Sequence, residues 1–285
     1  MKAYIDCTHC YLKQAVTCME MVGVNEDRQY EILFKLMDYI KLLDKSNTPS
    51  DNSTEIILKT YELTGSVDPY SKAKKESNDM ALKLYPKLQS IVDESDDRLY
   101  EALKIAAAGN IIDLGVSRYF DIDMSLEHAL KTGFTRDNYD LFSEKLDKVD
   151  KILLLGDNSG EIVFDKILVT ELNGLGKKVT YVVKEGPVLN DATMEDAVYT
   201  GMDKLAKVIT NGSRYLGSSI KNVSPSFLSL LTESELIISK GQANFESLEH
   251  SDLVKGKIFF LLKIKCEGVG KIANAKFGDV VFFNV

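Results

Sequence analysis

The chain has 285 residues, of which 45% are hydrophobic and 27% are charged, and its formal net charge is −8 at pH 7. This composition is typical of a globular protein large enough for two domains or subdomains. The acidic excess argues against nucleic acid as a partner, because a phosphate backbone is bound by clustered Lys and Arg. No apolar run approaches the roughly 18 residues of a membrane span, and the first residues lack the apolar stretch of a signal peptide. We therefore expect a cytoplasmic protein without a membrane or nucleic-acid partner.

The first half of the chain, residues 1–147, is predicted to form a helical domain. Apolar residues recur with a helical period over residues 30–44, and the polar stretch 45–54 predicts a loop. Asp68 and Pro69 predict a helix start, and Pro86 predicts the end of that helix or a bend in it. Further helices are predicted over residues 98–114 and 136–146.

The second half, residues 148–285, alternates short apolar runs with helical segments. Strands are predicted at residues 152–155, 178–183, 207–210, 236–239, 258–264 and 280–283. Helices are predicted at residues 161–172, 191–200 and 244–248, and near 225–231. Strands separated by helices of this length indicate βαβ units. We predict an α/β fold in which a mostly parallel, Rossmann-like three-layer sheet domain follows the helical N-terminal domain.

The end of the first predicted strand carries the strongest functional signal. Residues 152–161 read ILLLGDNSGE, an apolar run followed by Asp157 and Asn158 and then by a helix that starts near Glu161. In an open α/β sheet, ligands bind outside the carboxyl ends of the strands. A carboxylate beside a carboxamide suits Mg²⁺ or Mn²⁺, and Glu161 would hold these ligands in place without contacting the metal itself. A turn that merely caps the following helix is the alternative interpretation.

A second junction repeats this pattern. The predicted strand 178–183 leads to Asn190 and Asp191, so that an amide and a carboxylate again precede a helix. If the two strands are neighbours, Asp191 can face Asp157 across the strand ends. Two carboxylates, an amide and water would then form an octahedral cation site. Another capped helix is again the alternative.

Two later segments offer groups that suit phosphate. The turn from Gly241 to Asn244 leads into a helix, where exposed backbone N–H groups favour an anion. In the run KIFFLLKIK, Lys263 and Lys265 would point to the same side of a strand, and their ammonium groups beside a divalent metal would suit phosphate charge. A solvated strand end is the alternative for these lysines.

Two features outside the strand ends remain open. Asn110 lies among Ala, Ile and Leu residues, where a buried amide requires partners, so that it either faces the site or caps a helix end. Cys7 and Cys10 have the spacing of metal ligands, but a single CxxC lacks the second pair of a structural zinc site. Local packing and a partial metal site are both compatible with the sequence.

Several of these segments, taken in order, resemble one known family. The segments CTHCYLKQA, AGNIIDLG, GDNSGEIVFDKILVTEL, NDATMEDA, SKGQANFESL and LLKIKC are similar to motifs of the DUF89 family, also called the damage-control phosphatase or ARMT1-like family. The resemblance spans nearly the whole chain, and the CxxC-bearing start resembles the smaller archaeal and bacterial branch. Eukaryotic members carry Arg-Thr-x-Lys where this chain has residues 262–265, LKIK, so their substrate preferences do not transfer.

The resemblance implies a metal-dependent phosphatase that acts on phosphorylated metabolites such as sugar phosphates or cofactor precursors. The family's metal ligands correspond to Asp157, Asn158 and Asp191, and its phosphate-binding lysine corresponds to Lys263, with Lys265 as the second choice. Asn110 and the turn from Gly241 to Asn244 would line the substrate pocket.

We expect hydrolysis of a phosphomonoester with a bound Mg²⁺, Mn²⁺, Ni²⁺ or Co²⁺ ion, with Asp191 or Glu161 orienting or deprotonating the water and Lys263 stabilising the transferred phosphoryl group. A SAM-dependent carboxyl methyltransferase is an alternative that has also been suggested for this family. Residues 157–161, DNSGE, contain only one glycine, whereas SAM binding usually requires a glycine-rich loop at this place. A non-catalytic metal-binding module is the third interpretation.

Overall fold

The computed structural model describes residues 1–111 and 131–285, without the side chains of residues 110 and 111. The predicted substrate residue Asn110 therefore lies outside the described side chains, and the helix predicted over residues 98–114 is described as far as Ile111. Within the described residues, five helices precede the sheet: α1 (Cys7–Val22), α2 (Glu26–Ile40), α3 (Pro49–Thr64), α4 (Ser71–Asp93) and α5 (Arg98–Ile111). None of the described helices is long and apolar enough to cross a membrane.

The start of α3 corrects the prediction of a loop over residues 45–54. The Thr48 hydroxyl accepts a hydrogen bond of 3.1 Å from the backbone N–H of Asp51, and Pro49 occupies the first helical position. Both are helix-start signals, because they satisfy or remove backbone donors that have no partner inside the helix. The polar stretch therefore contains the first turn of a helix.

Pro86 does not end α4, which continues to Asp93. The predicted end of that helix near residue 85 is therefore wrong. On either side of the proline, Ala81, Leu88 and Val92 are fully buried in the main hydrophobic core. Burial of this apolar face offsets the backbone hydrogen bond that proline removes. The helix therefore continues past Pro86 because both halves of it pack against the core.

The remaining elements form one mixed α/β unit. Its strands are β1 (Arg136–Asp137), β2 (Lys151–Leu155), β3 (Lys178–Val183), β4 (Lys207–Thr210), β5 (Ile237–Lys240), β6 (Ile258–Lys263) and β7 (Val280–Asn284). Its helices are α6 (Tyr139–Leu146), α7 (Glu161–Gly174), α8 (Met194–Thr200), α9 (Pro225–Glu233), α10 (Gln242–Leu248) and α11 (Glu267–Ala273), with a 3₁₀ turn at Met202–Lys204. All six predicted strands are confirmed to within one residue.

The seven strands form one sheet in the order β1-β7-β6-β5-β2-β3-β4. The five adjacent strands β6, β5, β2, β3 and β4 are parallel to one another. Strand β7 is antiparallel to β6, and β1 is parallel to β7. The expected mostly parallel α/β fold is thus confirmed. Strand β1 replaces the beginning of the helix predicted over residues 136–146, because the backbone N–H groups of Thr135 and Asn138 donate to carbonyls of β7.

Strand β2 lies at the centre of the sheet and determines where a ligand can bind. It pairs with β3 on one side and with β5 on the other, and Leu155 at its end lies beside Val182 and Ser239. The chain therefore runs outward from β2 in both directions, and the connections after β2 and β5 leave the sheet on opposite sides. This reversal of strand order opens a crevice at the carboxyl ends of the two strands.

Helices cover both faces of the sheet. Ile152 and Leu154 of β2 face a core that includes residues of α4, α5, α6, α7 and α8, whereas Leu153 and Leu155 face a core formed with α9, α10 and α11. This alternation is the period of two of a strand that is buried on both faces. A boundary between a helical domain and the sheet domain after residue 147 stays a prediction.

Candidate functional site

The residues after β2 are held by two close contacts that require glycine. A Cβ atom on Gly156 would lie 2.5 Å from the Tyr181 hydroxyl oxygen, and one on Gly241 would lie 2.0 Å from Oδ2 of Asp157. Gly241 also has a φ of +79° and a ψ of 162°, a conformation that is almost restricted to glycine. Gly241 therefore allows the backbone after β5 to approach the Asp157 carboxylate directly, and Gly156 leaves room for the Tyr181 hydroxyl.

The two predicted junctions lie against each other. The backbone N–H of Ser159 donates to the Asn190 carbonyl at 2.8 Å, and the N–H of Ala192 donates to the Asp157 carbonyl at 2.9 Å. Asn158 and Asp191 thereby face each other in an isolated antiparallel bridge. Because β2 and β3 are neighbours, the structure brings together the three residues for which a role in metal binding was predicted.

The side-chain amide of Asn158 is oriented by two carboxylates. Its Nδ2 donates to Oδ2 of Asp157 at 3.1 Å and to Oε1 of Glu161 at 2.8 Å. Both amide N–H groups thus donate to protein carboxylates, and Oδ1 is the atom that can accept a hydrogen bond or bind a cation. Glu161 is buried behind Asn158 and is not among the described residues that line the cavity.

Asp191 has the chemistry of a cation ligand. Its side chain is buried, and its Oδ2 has no hydrogen-bond partner among the described residues; the Nζ of Lys184 lies 3.6 Å away. Burial raises the pKa of Asp191 to about 6 although Lys184 acts to lower it. Burial also raises the pKa of Asp157, and the negative charges of Glu161 and Asp191 add to this effect. A positive ion between these carboxylates would relieve this repulsion.

The candidate cation ligands at the floor are oxygen atoms. The carboxylates alone do not complete a coordination shell, which also requires the Asn158 amide and water molecules. Among the described residues, no group of three or more His, Cys, Asp or Glu side chains could hold a metal ion. The set at the floor consists of two carboxylates and the Oδ1 atom of Asn158. Hard cations such as Mg²⁺ accept such sets and usually retain several water ligands. The residues present therefore fit a divalent cation with several open positions.

The three residues lie at the floor of a cavity of about 360 Å³. Its opposite wall comes from the beginnings of α1 and α3, and a third side comes from α10 and the chain after β6. The residues that line it are Cys7, Cys10, Tyr11, Gln14, Pro49, Ser50, Ser53, Asp157, Asn158, Leu189, Asn190, Asp191, Leu216, Gln242, Ala243, Glu246, Lys265 and Cys266. A cavity of this size suits a small metabolite.

Of the two predicted phosphate-binding lysines, the structure places Lys265 at the cavity. Lys263, the favoured residue, is the last residue of β6 and is not among the described residues that line it. After the strand, the backbone N–H of Lys265 donates to the Gln242 side chain at 3.0 Å, which holds this segment beside α10. The positive charge of Lys265 acts to lower the pKa of Asp157. The position at which β6 ends therefore determines which of the two lysines faces the site.

The Gly241–Asn244 turn contributes differently from the prediction. Asn244 is buried, and its Nδ2 donates to the Gly156 carbonyl at 3.2 Å and to the Lys240 carbonyl at 2.8 Å. It therefore joins α10 to the end of β2, and the residues of this segment that line the cavity are Gln242, Ala243 and Glu246.

Gln242 lies in the turn that was predicted to line the pocket, whereas Glu246 was not predicted as a site residue. The Nε2 of Gln242 donates to Oε1 of Glu246 at 2.9 Å, and burial raises the pKa of Glu246 to about 7. The sequence offers one indication that Gln242 and Glu246 interact. The two residues are four positions apart, and residues at this spacing are neighbours on a helix.

Three of the four cysteines lie at the cavity. Cys7, Cys10 and Cys266 line it, whereas Cys18 is buried under α3. All four are free thiols, as expected from their small number. Burial raises the pKa of Cys7 and of Cys10, so both thiols are protonated at neutral pH.

Comparison with known proteins identifies the family. The model of the damage-control phosphatase ARMT1-like domain matches residues 3–281. An uncharacterized protein of Methanocaldococcus jannaschii is 34% identical over 97% of this chain and 93% of its own length. A damage-control phosphatase of Pyrococcus horikoshii is 33% identical over 99% and 97%, respectively. The crystal structure of a DUF89 family protein from P. horikoshii superposes with a TM-score of 0.90 at 31% identity, over 100% of this chain and 99% of that one. The chain therefore belongs to the damage-control phosphatase ARMT1-like family, also known as DUF89.

Proposed function

We propose that this protein is a metal-dependent phosphatase that hydrolyses phosphomonoesters of small metabolites such as sugar phosphates or cofactor precursors. The observation that carries the proposal is the pair of buried carboxylates, Asp157 and Asp191, beside the Asn158 amide at the floor of the cavity. The carboxylate oxygen of Asp191 that lacks a hydrogen bond supports a ligand role for this residue. The name of the P. horikoshii relative supports the reaction class.

The balance of buried charges also favours a divalent cation. Around the two junctions, four carboxylates and two ammonium groups are buried: Asp157, Glu161, Asp165, Asp191, Lys184 and Lys240. When all six are ionised, two negative charges remain in excess. An uncompensated buried charge is strongly unfavourable, and burial raises the pKa of three of these carboxylates, Asp157, Asp165 and Asp191. A bound Mg²⁺ or Mn²⁺ ion would remove this excess.

Asp157, Asp191 and Oδ1 of Asn158 would hold the cation. When bound, such an ion neutralises phosphate charge and lowers the pKa of a coordinated water molecule. Lys265, on the wall beside Asp157, would bind a phosphate oxygen and stabilise the charge of the transferred group. Asp191 faces the cavity and Glu161 does not, so we assign the orientation of the attacking water to Asp191. The walls formed by α1, α3 and α10 would contact the rest of the metabolite.

The proposal is tested by phosphate release from metal-free protein. The protein is treated with a chelator, and Mg²⁺, Mn²⁺, Co²⁺ and Ni²⁺ are added back singly with a panel of sugar phosphates and cofactor-precursor phosphates. We expect turnover that requires a cation. Turnover should decrease by more than about 100-fold in Asp157→Ala and Asp191→Ala, because removing a metal ligand has a larger effect than removing a group that only orients a metal ligand.

Glu195→Ala is the matched control, because this carboxylate lies on the exposed side of α8, four residues after Asp191. It should retain full turnover. Phosphate release that persists without any cation would contradict the metal dependence. Absence of release with every cation, from protein shown by circular dichroism to be folded, would instead favour methyl transfer or a non-catalytic binding role.

A further inference from the structure

A buried lysine lies beneath the floor of the cavity. Lys240, the last residue of β5, is fully buried, and its Nζ lies 2.5 Å from Oδ1 of Asp165 and 3.3 Å from Oε2 of Glu161. The other carboxylate oxygen of Asp165 accepts a hydrogen bond of 2.7 Å from the Tyr181 hydroxyl. Burial of an ammonium group without partners would be very unfavourable, so this lysine depends on the two carboxylates for its charge.

The same lysine brings two like charges together on one helix. Glu161 and Asp165 are four residues apart in α7 and therefore lie on the same face, where two carboxylates repel each other. Lys240 contacts both of them from β5. Burial acts to lower the pKa of Lys240, but Asp165 and Glu161 raise it above its usual value. The ammonium group is therefore charged at neutral pH and offsets the repulsion between the two carboxylates.

Glu161 connects this lysine to the floor of the cavity. While Oε2 of Glu161 faces Lys240, its Oε1 accepts a hydrogen bond of 2.8 Å from Nδ2 of Asn158. A continuous series of contacts thus runs from Lys240 through Glu161 to the Asn158 amide. If Glu161 moved away, the Asn158 amide would lose one of the two acceptors that fix its orientation.

We propose that Lys240 is a positioning residue that, through Glu161, turns Oδ1 of Asn158 toward the cation site. Its role in turnover rests on the proposed function, whereas its effect on cation binding can be measured without any substrate. Groups that orient metal ligands in this way typically change metal affinity by about 10- to 100-fold when they are removed. Lys240 is not among the described residues that line the cavity. Its contacts reach the cation site through Glu161 and Asn158, and its charge also acts on Asp157.

The test compares three variants by their affinity for Mn²⁺, measured by titration calorimetry on folded protein. Lys240→Met removes the charge and retains the apolar stem, and we expect Mn²⁺ to bind about 10- to 100-fold more weakly. Lys240→Met combined with Asp165→Asn also removes the carboxylate nearest to the lysine, so stability should recover but Mn²⁺ affinity should not. Lys257→Met is the control, because that lysine donates to backbone carbonyls of α9, at the other end of the sheet.

Three outcomes would overturn the proposal. Mn²⁺ affinity in Lys240→Met within twofold of wild type would show that the lysine does not position the ligand. Recovery of affinity together with stability in the double variant would reduce its role to packing. If the wild-type protein binds none of Mn²⁺, Mg²⁺, Co²⁺ and Ni²⁺, both this proposal and the metal dependence are refuted. If the affinities change as expected but no phosphate is released, only the proposed phosphatase reaction fails.

Discussion

Replacement of Gly241 by alanine should separate site geometry from stability. Residues other than glycine avoid its conformation, at a cost of about 1–3 kcal/mol. The new Cβ would also lie 2.0 Å from Oδ2 of Asp157, and the carboxylate would have to retreat by roughly 1.4 Å to reach an ordinary contact of 3.4 Å. The loss of stability is smaller than the roughly 5–15 kcal/mol by which a typical domain is stable, so the variant should fold.

The loss of turnover should not result from unfolding, because the variant remains folded. A displacement of about 1 Å at a reacting centre can reduce turnover by about 100-fold. We therefore expect Gly241→Ala to release phosphate at least about 100-fold more slowly and to bind Mn²⁺ more weakly. Chemical denaturation, by contrast, should show a decrease of only about 1–3 kcal/mol in the free energy of unfolding. Phosphate-release kinetics, Mn²⁺ calorimetry and urea titration measure the three quantities.

Gly65→Ala is the control for the change in backbone strain. Gly65 ends α3 with a φ of +74°, and a Cβ on it would meet no atom within 4 Å. This variant should lose about 1–2 kcal/mol of stability and retain wild-type turnover and Mn²⁺ affinity. Gly241→Ala with wild-type turnover and affinity would refute the argument that the close approach to Asp157 sets the geometry of the site.

Three further variants test other parts of the structure. Burial raises the pKa of Glu246 from 4.5 to about 7, so the wild-type free energy of unfolding should fall as the pH rises between these values. Glu246→Gln should remove up to about 3 kcal/mol of that fall in urea titrations, and an unchanged dependence of stability on pH would contradict this prediction. Lys265→Ala should raise KM for phosphate release about tenfold or more and Lys263→Ala less than twofold, whereas equal effects would refute the assignment. Thr48→Ala should lower the free energy of unfolding by about 1 kcal/mol, and no change would show that the cap is dispensable.

The centre of the fold could be predicted because its signals are local. A strand buried on both faces is a continuous apolar run, and Ile152–Leu155 followed by Gly156 marks both the strand and its end. The prediction that Asp157 and Asp191 meet needed one further assumption, that β2 and β3 are neighbours, which consecutive strands usually are.

The errors arise where tertiary packing decides between local alternatives. Residues 49–54 are polar and therefore resemble a loop, but Thr48 and Pro49 start a helix whose later turns are buried. Pro86 would end an isolated helix, whereas the packed faces on either side of it continue α4. In both places the polar or helix-breaking residue is a local signal, and the burial that outweighs it depends on distant parts of the chain.

The side chains around the floor were the least predictable from the sequence. Lys263 and Lys265 are alternatives of equal chemistry, and only the end of β6 and a hydrogen bond to Gln242 select between them. Glu246 became a site residue because folding buries it in the cavity wall. Such residues are determined by contacts between distant segments, which motif spacing does not report.

The two sides of the cavity depend on different parts of the core, and this division has a functional consequence. The floor is fixed by backbone hydrogen bonds between the ends of β2 and β3 and by the close approach of Gly241. The opposite wall is carried by α1, α2 and α3, which share a separate hydrophobic cluster. Side chains that line this wall without belonging to the cluster, such as Gln14 and Ser53, can therefore change without moving Asp157. If the floor binds a cation as proposed, this arrangement would allow one cation site to serve metabolites of different shape, because substitutions that reshape the wall would leave Asp157 in place.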